Sequence, residues 1–470
     1  LMSKMMNKYL LSKHQIKQYN QIRSKDKQKL FCHAPFSTLL FTEYGETIPC
    51  YYNKNIVFGK YPHDEPLDIW FGKEMNELRE HIKQNDLSYG CQDCYHYVST
   101  KNYYSTGAWK YDYLPVNKNK YPVSLDFQIS NVCNLACIMC NGEYSQTVRQ
   151  WREKKDKYHN PYDEYFVEKI KPFFPYLKEA AFTGGEVFLI KIYYDIWDAM
   201  AAINPNIRIS ITTNGTILNS RVKEYLEKLN FNITISLDSV HKENFERIRR
   251  FSNFEKFLEH FDFFQQYTKS KKTFFTVKTC PMRQNWHEIP DIIRFLNQKN
   301  VLLQFNNVVF PSYVALWNLP STELNHIIQY IGKQKFETQT TTQKINMERI
   351  NNFILQLKNW EQRAKEFEKN YPDIHQKSSK EISKMLLQAI YDYFKENPNL
   401  STINYHNISY EFMFEELMNK IEDEKVLKTA FLYYFRMPVS RFVSEFNIRD
   451  MEKIIERTIQ VGQISPSYIK

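Results

Sequence analysis

The sequence is organised around a compact group of cysteines, Asn131-Val132-Cys133-Asn134-Leu135-Ala136-Cys137-Ile138-Met139-Cys140. The three cysteines have the spacing C-x3-C-x2-C, and chance placement of 8 Cys in 470 residues gives roughly 0.002 such triplets. One short loop with this spacing brings three thiolates to one centre, and thiolates bind zinc or iron–sulfur clusters. A [4Fe–4S] cluster held by three thiolates leaves one iron open to a ligand from outside the protein. A zinc knuckle and buried core cysteines are the alternatives.

A C-x3-C-x2-C loop that follows an early strand resembles the cluster-binding loop of the radical S-adenosylmethionine (SAM) enzymes. The resemblance implies that Cys133, Cys137 and Cys140 hold a [4Fe–4S] cluster whose open iron binds SAM. Electron transfer to SAM then gives methionine and a 5′-deoxyadenosyl radical. Met139 stands where the family often has an aromatic residue, which is a departure from its pattern.

The composition is that of a globular protein with about two to four domains. Hydrophobic residues make up 43% of the chain and aromatic residues 16%. The sequence has no apolar run of about 18 residues, which predicts that no segment spans a membrane. Residues 1–30 are basic and lack the apolar core of a secretory signal. Clustered cysteines in such a chain indicate metal ligands rather than disulfides, and hence a reducing, cytoplasmic location.

Four more cysteines, Cys32, Cys50, Cys91 and Cys94, precede the first group. Four thiolates with one C-x2-C pair are typical of a structural zinc site or of a fully ligated iron–sulfur cluster. A predicted turn at residues 45–50 and the start of a short helix at residues 67–72 lie between them. This succession resembles half of a SPASM domain, called a twitch domain, which carries an auxiliary [4Fe–4S] cluster. In that family the domain usually follows the barrel, whereas here it precedes it.

From residue 122 onward, short strand patterns alternate with helix patterns, which predicts a parallel sheet with crossover helices. The predicted strands are residues 123–129, 180–183, 207–213, 231–238, 273–279 and 301–307. The third and fourth strands alternate apolar with polar residues. If the apolar set faces outer helices, the polar set lines an interior that holds a polar ligand; the alternative is a sheet with one wet face. Six strands fit the α/β fold that the resemblance implies, a partial (β/α)6 TIM-like barrel.

Short polar motifs stand where these strands end, which is where such barrels place their chemistry. Residues 183–186 resemble the family's GGE motif, which contacts the SAM amino group, and residues 212–215 and 236–238 resemble further positions near SAM. Arg247, Arg249 and Arg250 follow on the next helix, where one arginine can pair with the SAM carboxylate. Taken singly, the motifs are also typical of turns, and the arginines of a solvated helix face. The predicted SAM-binding residues are Gly184, Gly185, Glu186, Thr213, Asn214, Ser236, Asp238 and Arg250.

One cysteine, Cys280, belongs to neither group and ends the fifth predicted strand. A free cysteine is by default a small buried hydrophobe. At this edge of the barrel its thiol can also return a hydrogen atom to a substrate radical, as in some peptide epimerases of the family that the sequence resembles.

The predicted domains are a basic lead-in (1–30), a small Cys-rich α+β domain (31–97), a connector (98–120), the barrel (121–320) and a helical domain of unknown role (321–470). The clearest helices of the last domain are residues 347–360 and 381–396.

The resemblance implies a radical SAM enzyme that acts on a peptide or protein side chain by oxidation, crosslinking or epimerisation. It also implies an electron donor such as flavodoxin or ferredoxin. A small-molecule oxidoreductase is the first alternative. The net charge of +10 permits a nucleic-acid partner, but no RNA-binding motif supports one. A non-catalytic zinc protein is the remaining alternative, which the ordered motifs of the barrel disfavour.

Overall fold

The computed structural model describes residues 9–116, 118, 120–398 and 400–463. Residues 1–8 of the predicted lead-in and residues 464–470 of the predicted helical domain lie outside this part. The described chain forms two compact units. Unit 1 contains residues 9–41, 46–125 and 371–463, and unit 2 contains residues 42–45 and 126–370. None of the described helices is both long and apolar enough to cross a bilayer.

The amino-terminal part of unit 1 is a small α+β structure. Its strands β1 (Thr38–Phe41), β2 (Glu46–Ile48) and β3 (Gly59–Lys60) are antiparallel. Its helices are α1 (Lys13–Asn20), α2 (Ala34–Ser37), α3 (Pro66–Phe71), α4 (Lys73–Lys83), α5 (Gln92–Ser99) and α6 (Gly107–Lys110). A capping box between Ser12 and Gln15 starts α1, because the two side chains satisfy backbone N–H groups that the first turn leaves free. Gly45, with φ 91°, lies just before β2.

Unit 2 is a parallel sheet with helices between its strands. The strands follow the order β4-β5-β6-β7-β8-β9 in space as in sequence, and β5 to β9 are parallel. They are β4 (Ser124–Phe127, at the border of the unit), β5 (Glu179–Phe182), β6 (Arg208–Thr213), β7 (Phe231–Ser236), β8 (Phe275–Thr279) and β9 (Leu302–Phe305). The helices are α7 (Glu164–Ile170), α8 (Lys191–Ile203), α9 (Ser220–Lys228), α10 (Lys242–Ile248), α11 (Phe254–Lys271), α12 (Ile289–Lys299), α13 (Ser321–Gly332) and α14 (Thr341–Asn370). The predicted α/β fold is confirmed.

The two faces of this sheet differ in polarity, as the alternation in the sequence predicts. Ile209, Ile211 and Ile233 are buried, and the Phe231 ring lies 5.1 Å from the Trp197 ring of α8. The apolar set therefore packs against the helices, where burial is favourable. The half-exposed residues of the opposite face are Ser210, Thr212, Asn232, Thr234, Ser236 and Lys278; we call them the polar face.

The carboxyl-terminal third divides between the two units. Helices α13 and α14 belong to unit 2, whereas α15 (Ser379–Glu396), α16 (Tyr410–Lys420), α17 (Glu424–Arg436), α18 (Val439–Asn447) and α19 (Met451–Gly462) belong to unit 1. Aromatic side chains pack between α17 and α18, where the ring centroids of Tyr434 and Phe446 are 5.2 Å apart. The predicted domain at residues 321–470 therefore does not form one compact body, because long-range packing, which the sequence pattern does not show, draws its halves to different units.

Candidate functional site

Three cysteines of unit 2 lie on one loop, residues 130–147, which follows β4; we call it the cysteine loop. The backbone holds the loop from two sides. On one side, the N–H groups of Gly185 and Glu186 donate to the carbonyls of Ser130 (2.9 Å) and Val132 (2.7 Å). On the other, the N–H groups of Ala136 and Ile138 donate to the carbonyls of Arg250 (3.1 Å) and Ile248 (2.9 Å). These four bonds fix the backbone on both flanks of Cys133 and beside Cys137.

Side chains satisfy the remaining carbonyls of the cysteine loop. Thr147 Oγ1 donates to the Cys133 carbonyl at 2.6 Å. Ser145 Oγ donates to the Leu135 carbonyl at 2.7 Å. Arg152 donates to the carbonyls of Cys137, at 3.2 Å, and Cys140. A loop so fully bonded presents its thiols in one arrangement, which a ligand set requires.

The three thiols are partly exposed. Burial, with the charge of the neighbouring Cys137 as the next cause, raises the pKa of Cys133 to about 12. Burial also raises the pKa of Cys137 and Cys140. Among the described residues, no three His, Cys, Asp or Glu side chains converge closely enough to hold a single metal ion. The Leu135 N–H stabilises the Cys133 thiolate, and such donors to sulfur are found around iron–sulfur clusters. The loop thus fits a cluster with three thiolate ligands.

The two glycines of the 183–186 turn are required by close packing. A Cβ on Gly185 would lie 2.1 Å from the Val132 carbonyl oxygen, and one on Gly184 would lie 2.5 Å from that of Ser130. Gly184 also has φ 122°, a conformation that other residues rarely adopt. Any side chain here would push the cysteine loop away from the turn.

Glu186 braces the ends of two strands. It is fully buried, and its carboxylate accepts from Thr213 Oγ1 and the Asn214 N–H, each at 2.7 Å. Burial raises the pKa of Glu186 to about 6, although these hydrogen bonds oppose the shift. The sequence predicts an acceptor for a ligand amine at this position, whereas the structure engages both carboxylate oxygens inside the protein.

Asn214 connects this brace to the cysteine loop. Its Nδ2 donates to Asn134 Oδ1 at 3.0 Å and lies 3.8 Å from the Cys133 sulfur. A donor at this distance stabilises a thiolate and orients it. The predicted residues Glu186, Thr213 and Asn214 therefore form one network that ends at a cysteine of the loop.

A second network lies beyond the end of β7. Asp238 is fully buried; it accepts from Arg249 Nη2 at 2.5 Å and from the Cys280 N–H at 2.7 Å. Arg249 is itself buried, and its Nε has no partner among the described residues. Burial would lower the pKa of Arg249, but the charge of Asp238 opposes it, and the net effect is a raised pKa. Arg249 therefore remains a cation beside the cysteine loop, with one donor to spare.

The predicted SAM-binding arginine, Arg250, lies in different surroundings from its neighbour Arg249. Arg250 is exposed, and its guanidinium lies 5.8 Å from the Phe251 ring centroid. The arginine beside the thiols is Arg249. Its position could have been read from the sequence, because Phe245, Ile248 and Arg249 share one helix face at spacing i, i+3, i+4. The two preceding apolar residues mark that face as buried.

Two further predicted residues lie at the same edge of the sheet. Ser236 is half-buried and pairs in register with Lys278. Cys280 packs in a small apolar cluster with Ile138 and Met139 of the cysteine loop, and Asn306 Nδ2 lies 3.7 Å from its sulfur. Burial raises the pKa of Cys280 to about 12, so its thiol keeps the proton at neutral pH.

The four cysteines of unit 1 line one cavity. Cys32, Cys50, Cys91 and Cys94 surround it, together with apolar side chains such as Phe31 and Leu78. Burial, followed by the charges of the neighbouring sulfurs, raises the pKa of Cys32, Cys91 and Cys94, in the case of Cys94 to about 12. The Ala34 N–H stabilises the Cys32 thiolate, and the N–H groups of Ala108 and Gly107 stabilise that of Cys94. Four thiols with backbone donors around an apolar cavity fit a fully ligated cluster.

The carboxyl-terminal helices of unit 1 support the segments that carry these cysteines. Asp93, between Cys91 and Cys94, accepts from Ser440 Oγ at 2.8 Å, and Arg441 lies 3.8 Å from its other oxygen. Asn447 Nδ2 donates to the carbonyls of Lys54 (3.1 Å) and Asn55 (2.9 Å), just after Cys50. The sequence did not predict this support, because the partners are about 350 to 390 residues apart and follow no shared motif.

Family models match the two regions of the chain that contain the two groups of cysteines. A model of the radical SAM superfamily matches residues 127–296, and a model of the SPASM iron–sulfur cluster-binding domain matches residues 32–95. The resemblance to radical SAM enzymes with a SPASM-like domain is thereby confirmed, and with it the implied cofactors, namely a [4Fe–4S] cluster with SAM and an auxiliary iron–sulfur cluster.

Curated relatives match part of the chain. The GTP 3′,8-cyclase of Listeria monocytogenes is 29% identical over 183 residues, which are 38% of this chain and 51% of that protein. A probable GTP 3′,8-cyclase of Methanocaldococcus jannaschii is 27% identical over 183 residues, 38% of this chain and 57% of that protein. This chain spans about half the length of the curated relatives it matches.

Solved structures match at low similarity. Native anSMEcpe with bound AdoMet aligns with a TM-score of 0.35 and 20% identity, covering 44% of this chain and 58% of that chain. Streptococcus suis SuiB bound to the precursor peptide SuiA aligns with a TM-score of 0.34 and 13% identity, covering 45% of this chain and 46% of that chain.

Proposed function

We infer that this chain, a radical SAM superfamily enzyme with a SPASM iron–sulfur domain, abstracts a hydrogen atom from a peptide or protein substrate. The observation that carries the proposal is the cysteine loop, which presents three partly exposed thiols at the carboxyl end of β4. Reductive cleavage of SAM at the cluster supplies a 5′-deoxyadenosyl radical. The residues of this chain bind, orient and shield the reacting groups.

We assign the cluster ligands and the groups around them as follows. Cys133, Cys137 and Cys140 would hold the cluster, and Asn214 would donate to the sulfur of Cys133. Arg249, with its spare Nε donor, fits a ligand carboxylate better than Arg250 does, because a buried guanidinium binds carboxylates in fixed geometry. Asp238 keeps Arg249 in place and compensates part of its charge. The polar face beside these residues offers hydrogen bonds to a substrate.

The four cysteines of unit 1 would complete the ligand set of the auxiliary cluster. A full set of thiolates leaves no open iron for a substrate, which supports a role in electron transfer. An electron taken up from a substrate radical would give net oxidation or a crosslink. If the product is instead an epimer, Cys280 would return the hydrogen atom, because its protonated thiol lies against the cysteine loop.

The polar face favours a peptide over a nucleoside triphosphate. Its named residues are neutral apart from Lys278, so they offer hydrogen bonds rather than the cluster of cations that three phosphates require. The relatives named GTP 3′,8-cyclase support a nucleotide as the second candidate. Their similarity covers 38% of this chain, so the substrate of the whole protein is a proposal in either case.

Transfer of deuterium distinguishes the two candidates. The reconstituted full chain is incubated anaerobically with SAM, dithionite and either a deuterated random peptide library or deuterated GTP, and 5′-deoxyadenosine is analysed by mass spectrometry. Deuterium acquired from the peptides supports the proposal, and deuterium acquired from GTP supports the second candidate. If no 5′-deoxyadenosine forms, the enzymatic function is contradicted. Once a product is known, Cys280→Ala tests the thiol: epimer formation should stop while SAM cleavage continues, and a normal yield of epimer would exclude the role.

A further inference from the structure

An exposed aromatic and basic patch lies beside the cysteine loop. The side chain of Phe251 is 51% exposed, and its ring packs edge-on against Trp151 with centroids 5.0 Å apart. The guanidinium of Arg250 lies 5.8 Å from the Phe251 centroid. We call Trp151, Arg250 and Phe251 the Phe251 patch. All three residues belong to unit 2 and lie outside the two networks described above.

The patch is attached directly to the loop that carries the thiols. The Arg250 carbonyl accepts from the Ala136 N–H, next to Cys137, at 3.1 Å. On the other side of the patch, Trp151 precedes Arg152, which donates to the carbonyls of Cys137 and Cys140. One hydrogen bond and one residue therefore separate each flank of the patch from a cysteine.

The backbone under Phe251 is in a conformation that phenylalanine rarely adopts. Its φ is 74°, a left-handed conformation that is unfavourable for a bulky side chain. A ring that is half exposed does not offset this cost by burial in a core. Retention of an exposed aromatic at a strained position points to a role at the surface.

The rim of the patch is basic. Residues 147–157 contain five Lys and Arg and two Asp and Glu. One of the acids, Glu153, accepts from the Gly142 N–H at 2.9 Å and is thus engaged within the loop. Lys154, Lys157 and Arg250 are exposed. Aromatic residues and arginine with a charged rim are the composition of protein-binding surfaces, and a basic rim selects an acidic partner.

We propose that the Phe251 patch docks an acidic protein that carries single electrons, and that the electron for the cluster of the cysteine loop enters here. The carrier is oxidised by one electron and the cluster is reduced by one, with no bond made or broken in the transfer. The inference rests on the proposed function, because reductive cleavage of SAM consumes one electron per event. Charge complementarity and attachment to the loop identify the occupant, whereas a binding face for nucleic acid would need no connection to the thiols.

A matched surface pair provides the control. Arg208 and Phe274 form the same kind of pair, with the guanidinium 6.0 Å from the ring centroid and Phe274 62% exposed. They lie at the amino ends of β6 and β8, opposite the edge that carries the cysteine loop. The test variants are Arg250→Glu and Phe251→Asn, and the control variants are Arg208→Glu and Phe274→Asn. Asparagine tolerates positive φ, so Phe251→Asn removes the ring without displacing the backbone.

The probe is a reduced, acidic flavodoxin, mixed anaerobically with the reconstituted full chain. Flavin absorbance reports the rate of electron transfer, and biosensor binding at two salt concentrations reports affinity. Arg250→Glu should slow transfer at low salt by about tenfold and reduce its salt dependence. Phe251→Asn should weaken binding by about five- to tenfold at both salt concentrations. The control variants should behave like the wild type, and SAM cleavage driven by dithionite should be unchanged in Phe251→Asn and in both control variants.

Three results would overturn the proposal. In the first, the patch variants accept electrons as fast as the wild type. In the second, the control variants are slowed equally, which would show a general effect of charge. In the third, a duplex RNA competes with flavodoxin and itself loses affinity in Arg250→Glu, which would assign the patch to nucleic acid. If dithionite drives no SAM cleavage in the wild type, the proposed function fails, and this outcome is distinct from a failure of the patch alone.

Discussion

The two cysteine sites of this protein are built in opposite ways. The site of unit 2 takes three cysteines from eight consecutive residues, and most of its supporting bonds come from the same loop or from strand ends nearby. The site of unit 1 takes four cysteines from residues 32 to 94, and its supports reach Asn447. A site made by one loop is visible as a spacing in the sequence. The contacts that support a dispersed site become visible only in the folded structure.

The surroundings of the two sites also differ. Polar and charged groups, including Asn214, Arg152 and Arg249, face the cysteine loop, and its thiols are partly exposed. The cavity of unit 1 is lined mainly by apolar side chains, and Cys32, Cys50 and Cys94 are buried. An open iron that must receive a ligand requires access, whereas a cluster that only exchanges electrons is better shielded. This difference supports the proposed division, with substrate chemistry at the site of unit 2 and electron transfer at the site of unit 1.

The largest expected effect comes from Gly185→Ala. The new Cβ would meet the Val132 carbonyl at 2.1 Å, so the cysteine loop must move at Cys133. We expect SAM cleavage to fall by at least about 100-fold, since a displacement of about 1 Å has such an effect on catalysis. The measurement is 5′-deoxyadenosine formed with dithionite.

Gly332→Ala is the matched control for this prediction. No atom lies within 4 Å of the added Cβ at Gly332, so cleavage should be normal. An active Gly185→Ala enzyme would contradict the requirement for close packing between the turn and the loop.

A smaller effect is expected from Glu186→Gln, which should change how the free energy of unfolding depends on pH. Burial raises the pKa of Glu186 to about 6, above the usual value of about 4.3. The proton is bound more tightly in the folded state, so the stabilisation is present below the unfolded pKa and is lost as pH rises through about 6. Relative to the glutamine variant, the wild type should lose about 2 kcal/mol between pH 4 and pH 7.

Urea unfolding of unit 2 at the two pH values measures this difference. Glu259→Gln, on the exposed face of α11, controls for the loss of one negative charge, and its difference in stability from the wild type should change little with pH. If the free energy of unfolding changes equally with pH in Glu186→Gln and in the wild type, ionisation of the buried carboxylate does not destabilise the protein, and the prediction is wrong.

The smallest expected effect is a shift in the midpoint potential of the auxiliary cluster. Arg441 lies near Asp93 and near Tyr52 of the cysteine cavity, so its positive charge should favour the reduced, more negative cluster. Arg441→Gln should shift the midpoint potential of the auxiliary cluster to more negative values and leave the other cluster unchanged. EPR-monitored redox titration measures both potentials, with Lys395→Gln, an exposed residue of α15, as the control for net charge. Equal shifts in the midpoint potentials of both clusters would show that Arg441 does not act on the auxiliary cluster alone, which contradicts the prediction.

Much of the barrel could be predicted from the sequence because its signals are local. The strand pattern at residues 207–213 and 231–238 led to β6 and β7, and the polar face followed from the alternation of Ile209 and Ile211 with Ser210 and Thr212. Local patterns did not reveal which side chains brace each other, so Glu186 and Asp238 were expected to face a ligand. Packing turned them toward Thr213 and Arg249 instead.

The support of the auxiliary site could not be predicted from the sequence. Ser440, Arg441 and Asn447 lie in one amphipathic helix, α18, and their contacts with residues 54, 55 and 93 depend on the tertiary fold alone. Nothing in the spacing of residues 321–470 indicates that part of this region belongs to the Cys-rich unit. Sequence patterns therefore singled out the two groups of cysteines, and the structure was needed to show what holds them.

The central claim is that two separate clusters are held by the two groups of cysteines. Iron, sulfide and zinc per chain should be measured after anaerobic reconstitution of the wild type and of the variant Cys133→Ala, Cys137→Ala, Cys140→Ala. The account predicts about eight irons in the wild type and about four in the variant, as two four-iron clusters require. About four irons falling to near zero, with one zinc retained, would contradict it and make the four-cysteine site structural.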